Sequence, residues 1–193
     1  MTSSDPDVAL MLRVRNGDMD AFRELIERHQ RAVINTIHRA IGDAWEAEDL
    51  AQRVFIQVHR SAKRYKPTAK FTTWLFTITR NTILNEHRRR NRHPSESLDA
   101  LQEPRDSDSA GWQAPDTSVS DPAQAAVERE LQQKIMEAVR ELPEAQRTAV
   151  VLCRYEGLSY EEIAEVLGCS VSATKSLLHR ARLTLKEKLQ GYY

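Results

Sequence analysis

The side chains with the clearest chemical use lie near the C-terminus. There Ser172, Lys175, Ser176, His179, Arg180 and Arg182 fall on one side of a segment whose other side is Val171, Thr174, Leu178, Ala181 and Leu185. Spacing of this kind is that of an α-helix. Ser, Lys and Arg can contact base edges and phosphate oxygens, and a helix N-terminus itself favours phosphate. A solvated face of a bundle helix would have the same polarity, but the preceding residues favour a recognition helix. Ser159 followed by Glu162 makes a capping box, Ile163, Ala164, Val166 and Leu167 supply an apolar face, Gly168 permits a left-handed turn, and Ser170 can cap the next helix. Two short helices joined by a Gly-containing turn form a helix-turn-helix, whose second helix enters the major groove of DNA. Leu183 also lies on the outward side, where it suits contact with a protein better than contact with DNA.

Two further constellations lie in the first half of the chain. In one, Ala47, Leu50, Ala51, Val54 and Val58 point inward, leaving Asp49, Gln52, Arg53, Ile56 and Arg60 on the opposite side. An outward Ile among hydrogen-bonding side chains reads as a protein contact, although a surface helix with one stray Ile has the same pattern. In the other, Phe71, Trp74, Leu75 and Ile78 form a core side, while Thr73, Phe76, Thr77, Arg80, Asn81, His87 and Arg88 spread around the rest. The basic, Pro-containing stretch AKRYKPTAKF precedes them. Aromatic rings, amides and arginines together suit unstacked single-stranded bases, and core packing is the competing use of the same rings.

Catalytic chemistry finds no comparable support. The two cysteines, Cys153 and Cys169, form no CxxC pair, the six histidines are scattered, and no Gly-rich phosphate loop occurs. No catalytic residue, metal or cofactor is expected, and His87 and His93 among arginines suit phosphate better than a metal. No N-terminal apolar run resembles a signal peptide and no stretch approaches the roughly 20 apolar residues of a membrane span, so a cytoplasmic protein without membrane insertion is expected.

The elements that must carry these residues are helices throughout. Asp5-Pro6 opens a short helix that closes at Asn16-Gly17; Asp18 is placed to cap a longer one, about Met19 to Ile41, in which Phe22, Leu25, Ile26, Val33, Ile37 and Ile41 recur at helical spacing and which ends at Gly42. Asp43 and Glu46 form a D-x-x-E variant of the capping box, starting a third helix that reaches about Lys63. A fourth runs from about Lys70 to Asn91, where His93-Pro94 stops it. Later helices run from Ala123 to Arg140 and from Pro143 to Tyr155, followed by the helix-turn-helix. With no strand-like alternation, the fold class is all-α.

From roughly Pro94 to Asp121 the apolar periodicity ceases and Pro, Ser, Asp and Gly dominate, which predicts a flexible tether between two small helical domains, 1–93 and 123–193. Charge is segregated in the same way despite a net of +0 over 193 residues. Basic residues collect at Glu86 to His93 and, near the C-terminus, at Lys175, Arg180, Arg182, Lys186 and Lys188. The tether carries Glu96, Asp99, Glu103, Asp106, Asp108, Asp116 and Asp121 against Arg105. Two basic ends joined by an acidic strap imply two DNA-facing surfaces.

Taken together, GDMDAFRELIERHQ, AEDLAQRVFIQVHRSAKRY, FTTWLFTITRNTILNEHRRR and ELPEAQRTAVVLCRYEGLSYEEIAEVLGCSVSATKSLLHRAR resemble, in order, the extracytoplasmic-function sigma factors of the sigma-seventy superfamily. The resemblance implies a sigma factor that brings core RNA polymerase to promoter DNA, with 1–93 as region 2, 94–122 as an acidic linker and 123–193 as region 4. Asp49, Leu50, Gln52, Arg53, Phe55 and Ile56 match the segment that docks on the polymerase clamp helices, and region 4 would meet the flap. Arg53 stands where the family commonly has an acidic residue. Arg64, Tyr65, Lys66, Lys70, Phe71, Trp74, Asn81 and Arg88 match the part that melts and reads the −10 element. Ser172, Lys175, Ser176, His179, Arg180 and Arg182 lie in the helix that reads the −35 element. An anti-sigma factor is a further partner the family implies. The alternative is a helix-turn-helix repressor or activator that acts without docking on polymerase.

Overall fold

A computed structural model of the chain describes residues 5–92 and 122–190, all in helices and their connections. The acidic stretch expected to be a tether lies outside the described residues. The N-terminal half holds α1 (Pro6–Arg15), α2 (Met19–Ile41), α3 (Ala44–Ser61) and α4 (Phe71–Arg92); the C-terminal half holds α5 (Pro122–Arg140), α6 (Glu144–Arg154), α7 (Tyr160–Leu167) and α8 (Val171–Lys188).

Each helix start that the sequence marks with a capping residue has the expected local chemistry. Asp5, Asp18, Asp43 and Ser170 accept hydrogen bonds from the first-turn backbone, and Ser159 with Glu162 forms both halves of a capping box. Such caps satisfy N–H groups that have no partner within the helix. The backbone N–H of Ala21 and the Arg13 guanidinium hold the Asp18 carboxyl below its ordinary pKa. At α3 the reciprocal half of the expected box is diverted, because Glu46 reaches across to Arg90 of α4. Helix α3 also stops two residues short of expectation and tightens into a 3-10 turn at Ala62–Arg64, a common way to close a last turn. The tightening turns Tyr65 into the core.

Met11, Leu25, Val33, Ile37, Leu50, Val54, Val58, Phe71 and Leu75 fill the N-terminal core. Ala149, Leu152, Ile163, Val166 and Leu178 fill the second. Phe76 corrects the sequence reading. Its spacing places it on the outward part of α4, yet it is 3% exposed and packs into the C-terminal core. The reason is a second stripe on α4, in which Phe76, Arg80 and Ile83 at helical spacing face Val151 and Leu152 of α6. The two halves therefore pack directly against each other.

Polar contacts follow the same seam. Lys70 pairs with Glu162 at 2.8 Å, Thr36 Oγ1 donates to Glu156 at 2.9 Å, Arg147 donates to the Ala40 carbonyl, and the Arg39 guanidinium lies 3.8 Å from the centre of the Tyr155 ring. Burial pushes the Glu156 carboxyl above its ordinary pKa, and burial with the nearby Arg140 and Arg39 charges pushes His38 below its own.

Gly42 ends α2 in the left-handed region at φ 93°, and a Cβ there would lie 3.1 Å from the Arg140 guanidinium across the seam. Gly17 has a similar φ of 96° but open space around it. Gly17→Ala should cost about 1–2 kcal/mol, the strain of a left-handed L-residue. Gly42→Ala should cost more, and thermal unfolding of the two variants would measure the difference contributed by the seam.

Candidate nucleic-acid and polymerase surfaces

Helix α8 buries Thr174, Leu178 and Ala181 against α6 and α7, which turns its other side to solvent. All six residues expected on that side, Ser172, Lys175, Ser176, His179, Arg180 and Arg182, are exposed. They are not equivalent. Ser176 Oγ donates to the Ser172 carbonyl at 3.1 Å, and Arg182 reaches the Tyr160 hydroxyl at 3.3 Å, which braces α8 against α7. Lys175, His179 and Arg180 present their polar ends beyond these local bonds. Leu183 is 50% exposed on the same side, as its position in the stripe predicts.

On α3, the expected outward residues Asp49, Gln52, Arg53 and Ile56 are exposed, whereas Leu50 and Phe55 are 1% and 7% exposed. Leu50 has the core role that its inward spacing predicts. Its side of the helix must fill the bundle interior for the other side to be presented. Phe55 instead floors a groove between α2 and α3 of about 580 Å³, lined also by Met19, Phe22, Ile26, Ile34 and Ile56. The stripe therefore borders an apolar groove. Arg53 reaches Asp49 at 2.7 Å and Glu86 at 3.5 Å.

The loop between α3 and α4 is anchored from below by aromatic rings. Tyr65 and Phe71 are 2% and 0% exposed, and Trp74 is half-buried, with Tyr65 and Trp74 centroids 4.8 Å apart and edge-on. Tyr65 and Phe71 are thus occupied in fixing the loop, as the core side of α4 predicts for Phe71. Burial pushes the Tyr65 phenol up to about 12, so it stays neutral. The backbone N–H of Phe71 donates to Asp5 at 3.2 Å, tying the start of α4 to the start of α1. Arg64, Lys66 and Lys70 remain exposed around this base, and Asn81 and Arg88 are exposed farther along α4.

Lys70 is engaged by the other half of the chain. The carboxylate of Glu162 raises the Lys70 pKa; burial pushes Glu162 upward, but the hydrogen bonds from Lys70 and the Ser159 backbone outweigh it and leave that carboxyl below its ordinary value. Glu162 thus serves twice, in the α7 capping box and across the seam. Sequence spacing identifies the first duty and contains no signal for the second. Trp45, 81% exposed at the start of α3, has no place in the sequence reading, and the described contacts give it no role.

Two family models match the chain where these surfaces lie, sigma-70 region 2 over residues 25–93 and sigma-70 region 4 over residues 132–185. The RNA polymerase sigma-H factor of Pseudomonas aeruginosa is 34% identical over 190 residues, 98% of this chain and 97% of its own length. The chain belongs to the sigma-70 family of RNA polymerase sigma factors. The ECF RNA polymerase sigma-E factor of Escherichia coli is 32% identical over 98% of this chain and 97% of its own. Among solved structures, the sigma factor RpoE of Bartonella quintana, in complex with the anti-sigma factor NepR, is 25% identical with a TM-score of 0.67, covering 89% of this chain and 98% of that one. CnrH, in complex with the cytosolic domain of CnrY, shares the fold at 24% identity and a TM-score of 0.69, over 98% of this chain and 100% of that chain. The region 2 match leaves the polymerase-independent repressor without support, and none of the described helices is long and apolar enough to cross a membrane.

Removing Phe76 should release the sigma factor's two halves, because Phe→Ala at a core site costs about 3–5 kcal/mol, far more than an exposed ion pair contributes. Phe76→Ala is expected to increase the radius of gyration in small-angle scattering while the far-ultraviolet dichroism keeps its helical amplitude.

Proposed function

We propose that residues 1–93 dock on core polymerase and open the −10 element, and that residues 123–193 read the −35 element through α8. The observation that carries this is the outward face of α8, where six polar side chains share one exposed side of a capped helix that follows a left-handed glycine turn. Polymerase would be held by Asp49, Gln52, Arg53 and Ile56, with the groove floored by Phe55 receiving apolar side chains of the clamp helices. Arg64, Lys66, Lys70, Asn81 and Arg88 would contact the −10 strands above the loop anchored by Tyr65, Phe71 and Trp74. Strand opening needs no catalytic group, since binding of a flipped base offsets an unstacking cost of a few kcal/mol. The protein works in the cytoplasm, beside polymerase and the chromosome.

This reading requires the seam to open. The two promoter elements are about 25 base pairs apart, or roughly 85 Å at 3.4 Å per pair. Helix α7 packs on α4 and α8 packs on α7, and helices in contact have axes about 8–10 Å apart. With the halves closed, α8 cannot reach a −35 element while α4 holds the −10 element. An anti-sigma factor of the kind bound to the similar RpoE fits here as a partner that acts on the closed form.

Two experiments test the assignment. Gln52→Ala with Ile56→Ala should weaken binding to core polymerase while helical content is unchanged, and full affinity in a pull-down would remove the docking surface. For α8, promoter binding by the holoenzyme is measured across a −35 substitution library at several salt concentrations. Arg180→Ala should cost about 1–3 kcal/mol at one promoter position and relax the preference there. Lys186→Ala, farther along the helix, should weaken all sequences alike and lower the salt slope by about one unit. Equal losses from Arg180→Ala on every sequence would reassign the reading residue.

A further inference from the structure

The exposed stripe of α3 formed by Asp49, Gln52 and Ile56 starts one turn before its first polar member. Trp45 precedes Asp49 by four residues, Gln52 by seven and Ile56 by eleven, spacings that keep all four on one side of an α-helix. At about 1.5 Å per residue this line is roughly 16 Å long. Trp45 is 81% exposed, more than any other large apolar side chain among the described residues. Met19 and Ile56, also exposed, stand at the other end of the line beside the groove between α2 and α3, and Gln52 and Glu48 carry the rim of that groove toward Trp45.

The charges around the ring decide what it can receive. Glu48 and Asp49 follow Trp45 at i+3 and i+4, the positions that neighbour it on the helix surface. Asp49 is paired with Arg53 at 2.7 Å, and Glu46 with Arg90 of α4. Glu48 is exposed and has no cation within ion-pair distance among the described residues. An indole attracts cations over its face, and carboxylates beside it add to the attraction, whereas a DNA phosphate would be repelled by them. We propose that Trp45 is an anchor of the polymerase contact, taking an Arg or Lys side chain of core polymerase over its ring with Glu48 as the adjacent carboxylate. The inference rests on the docking surface proposed above and extends it by one aromatic residue.

Two further features suit an anchor. Trp has a large apolar area and few rotatable bonds, and it is enriched among the few interface residues that carry most of a binding energy. The ring also stands on a backbone that is fixed beforehand, because Asp43 caps the turn that bears it through the Glu46 N–H at 3.0 Å. Trp45 is exposed while the two halves of the chain are closed on each other, so docking at this end of α3 does not wait for the seam to open.

The test is equilibrium binding of full-length variants to purified core polymerase. Trp45→Ala should weaken binding about thirtyfold, the equivalent of the roughly 2 kcal/mol that marks an interface anchor. Trp45→Phe keeps a ring and should lose less than Trp45→Leu, which keeps apolar bulk without one. A cation on the polymerase side should also make Trp45→Lys bind more weakly than Trp45→Ala, and Trp45→Glu more tightly. Equal affinities for the Lys and Glu variants, or the reverse order, would overturn the cationic partner. Full affinity of Trp45→Ala beside a loss from Gln52→Ala with Ile56→Ala would remove the anchor and leave the docking surface in place; no loss from either would remove the surface itself. Affinity for a short duplex without promoter elements should be the same for Trp45→Ala and the parent chain, and a loss there would place the ring on DNA instead.

Discussion

Phe76 is carried by one half of the chain and buried in the other. Helix α4 supplies Phe71 and Leu75 to the N-terminal core, then, one residue later and about 100° around the helix, Phe76 to the core formed by α6, α7 and α8. A helix that fills two cores has little surface left to present. Its exposed residues are confined to a strip containing Asn81, Asn85 and Arg88, and to its basic end. The same arrangement brings Glu162 onto Lys70, so the charge of a proposed DNA contact is paired with a carboxylate of the C-terminal half. In the closed chain, then, both proposed DNA surfaces are exposed, but the charge of Lys70 in region 2 is already paired across the seam.

The seam combines strong and weak interactions in a way that suits reversible opening. Its apolar part, Phe76 with Ile83 against Val151 and Leu152, supplies stabilisation that depends on area removed from water. Its polar part contains groups that closure partly desolvates. Burial raises the Glu156 carboxyl and lowers the Arg147 guanidinium, so each would recover hydration on opening. Closure therefore gains from apolar burial and loses from the confinement of charge, and a partner that covers Phe76 or engages the seam arginines would shift the balance.

The aromatic loop anchor illustrates how packed rings set the position of exposed cations. Tyr65, Phe71 and Trp74 have the composition of a base-stacking platform, and an order based on residue type would give them that duty. Tyr65 and Phe71 are buried and Trp74 is half-buried beneath Arg64, Lys66 and Lys70, which fixes where these cations stand. Leu50 bears the same relation to the α3 stripe.

Much of this was legible along the chain, for reasons that are local. Capping residues at Asp5, Asp18, Asp43, Ser159 and Ser170 act within one turn, and glycine at 42 and 168 answers to backbone sterics alone, so helix boundaries followed within about two residues. The period of apolar residues separated Ala47, Leu50, Ala51, Val54 and Val58 from the exposed stripe of α3, and Thr174, Leu178 and Ala181 from the polar face of α8, because each helix has one principal face to bury. Helix α4 broke that premise. Phe76 and Ile83 form a second apolar stripe whose burial depends on a partner far along the chain, Val151 and Leu152 of α6. The Lys70–Glu162 and Thr36–Glu156 pairs depend on the same long-range docking. Periodicity within a helix tells which side is apolar; only packing between distant segments decides what covers it, and here that decided which of the proposed recognition residues are free.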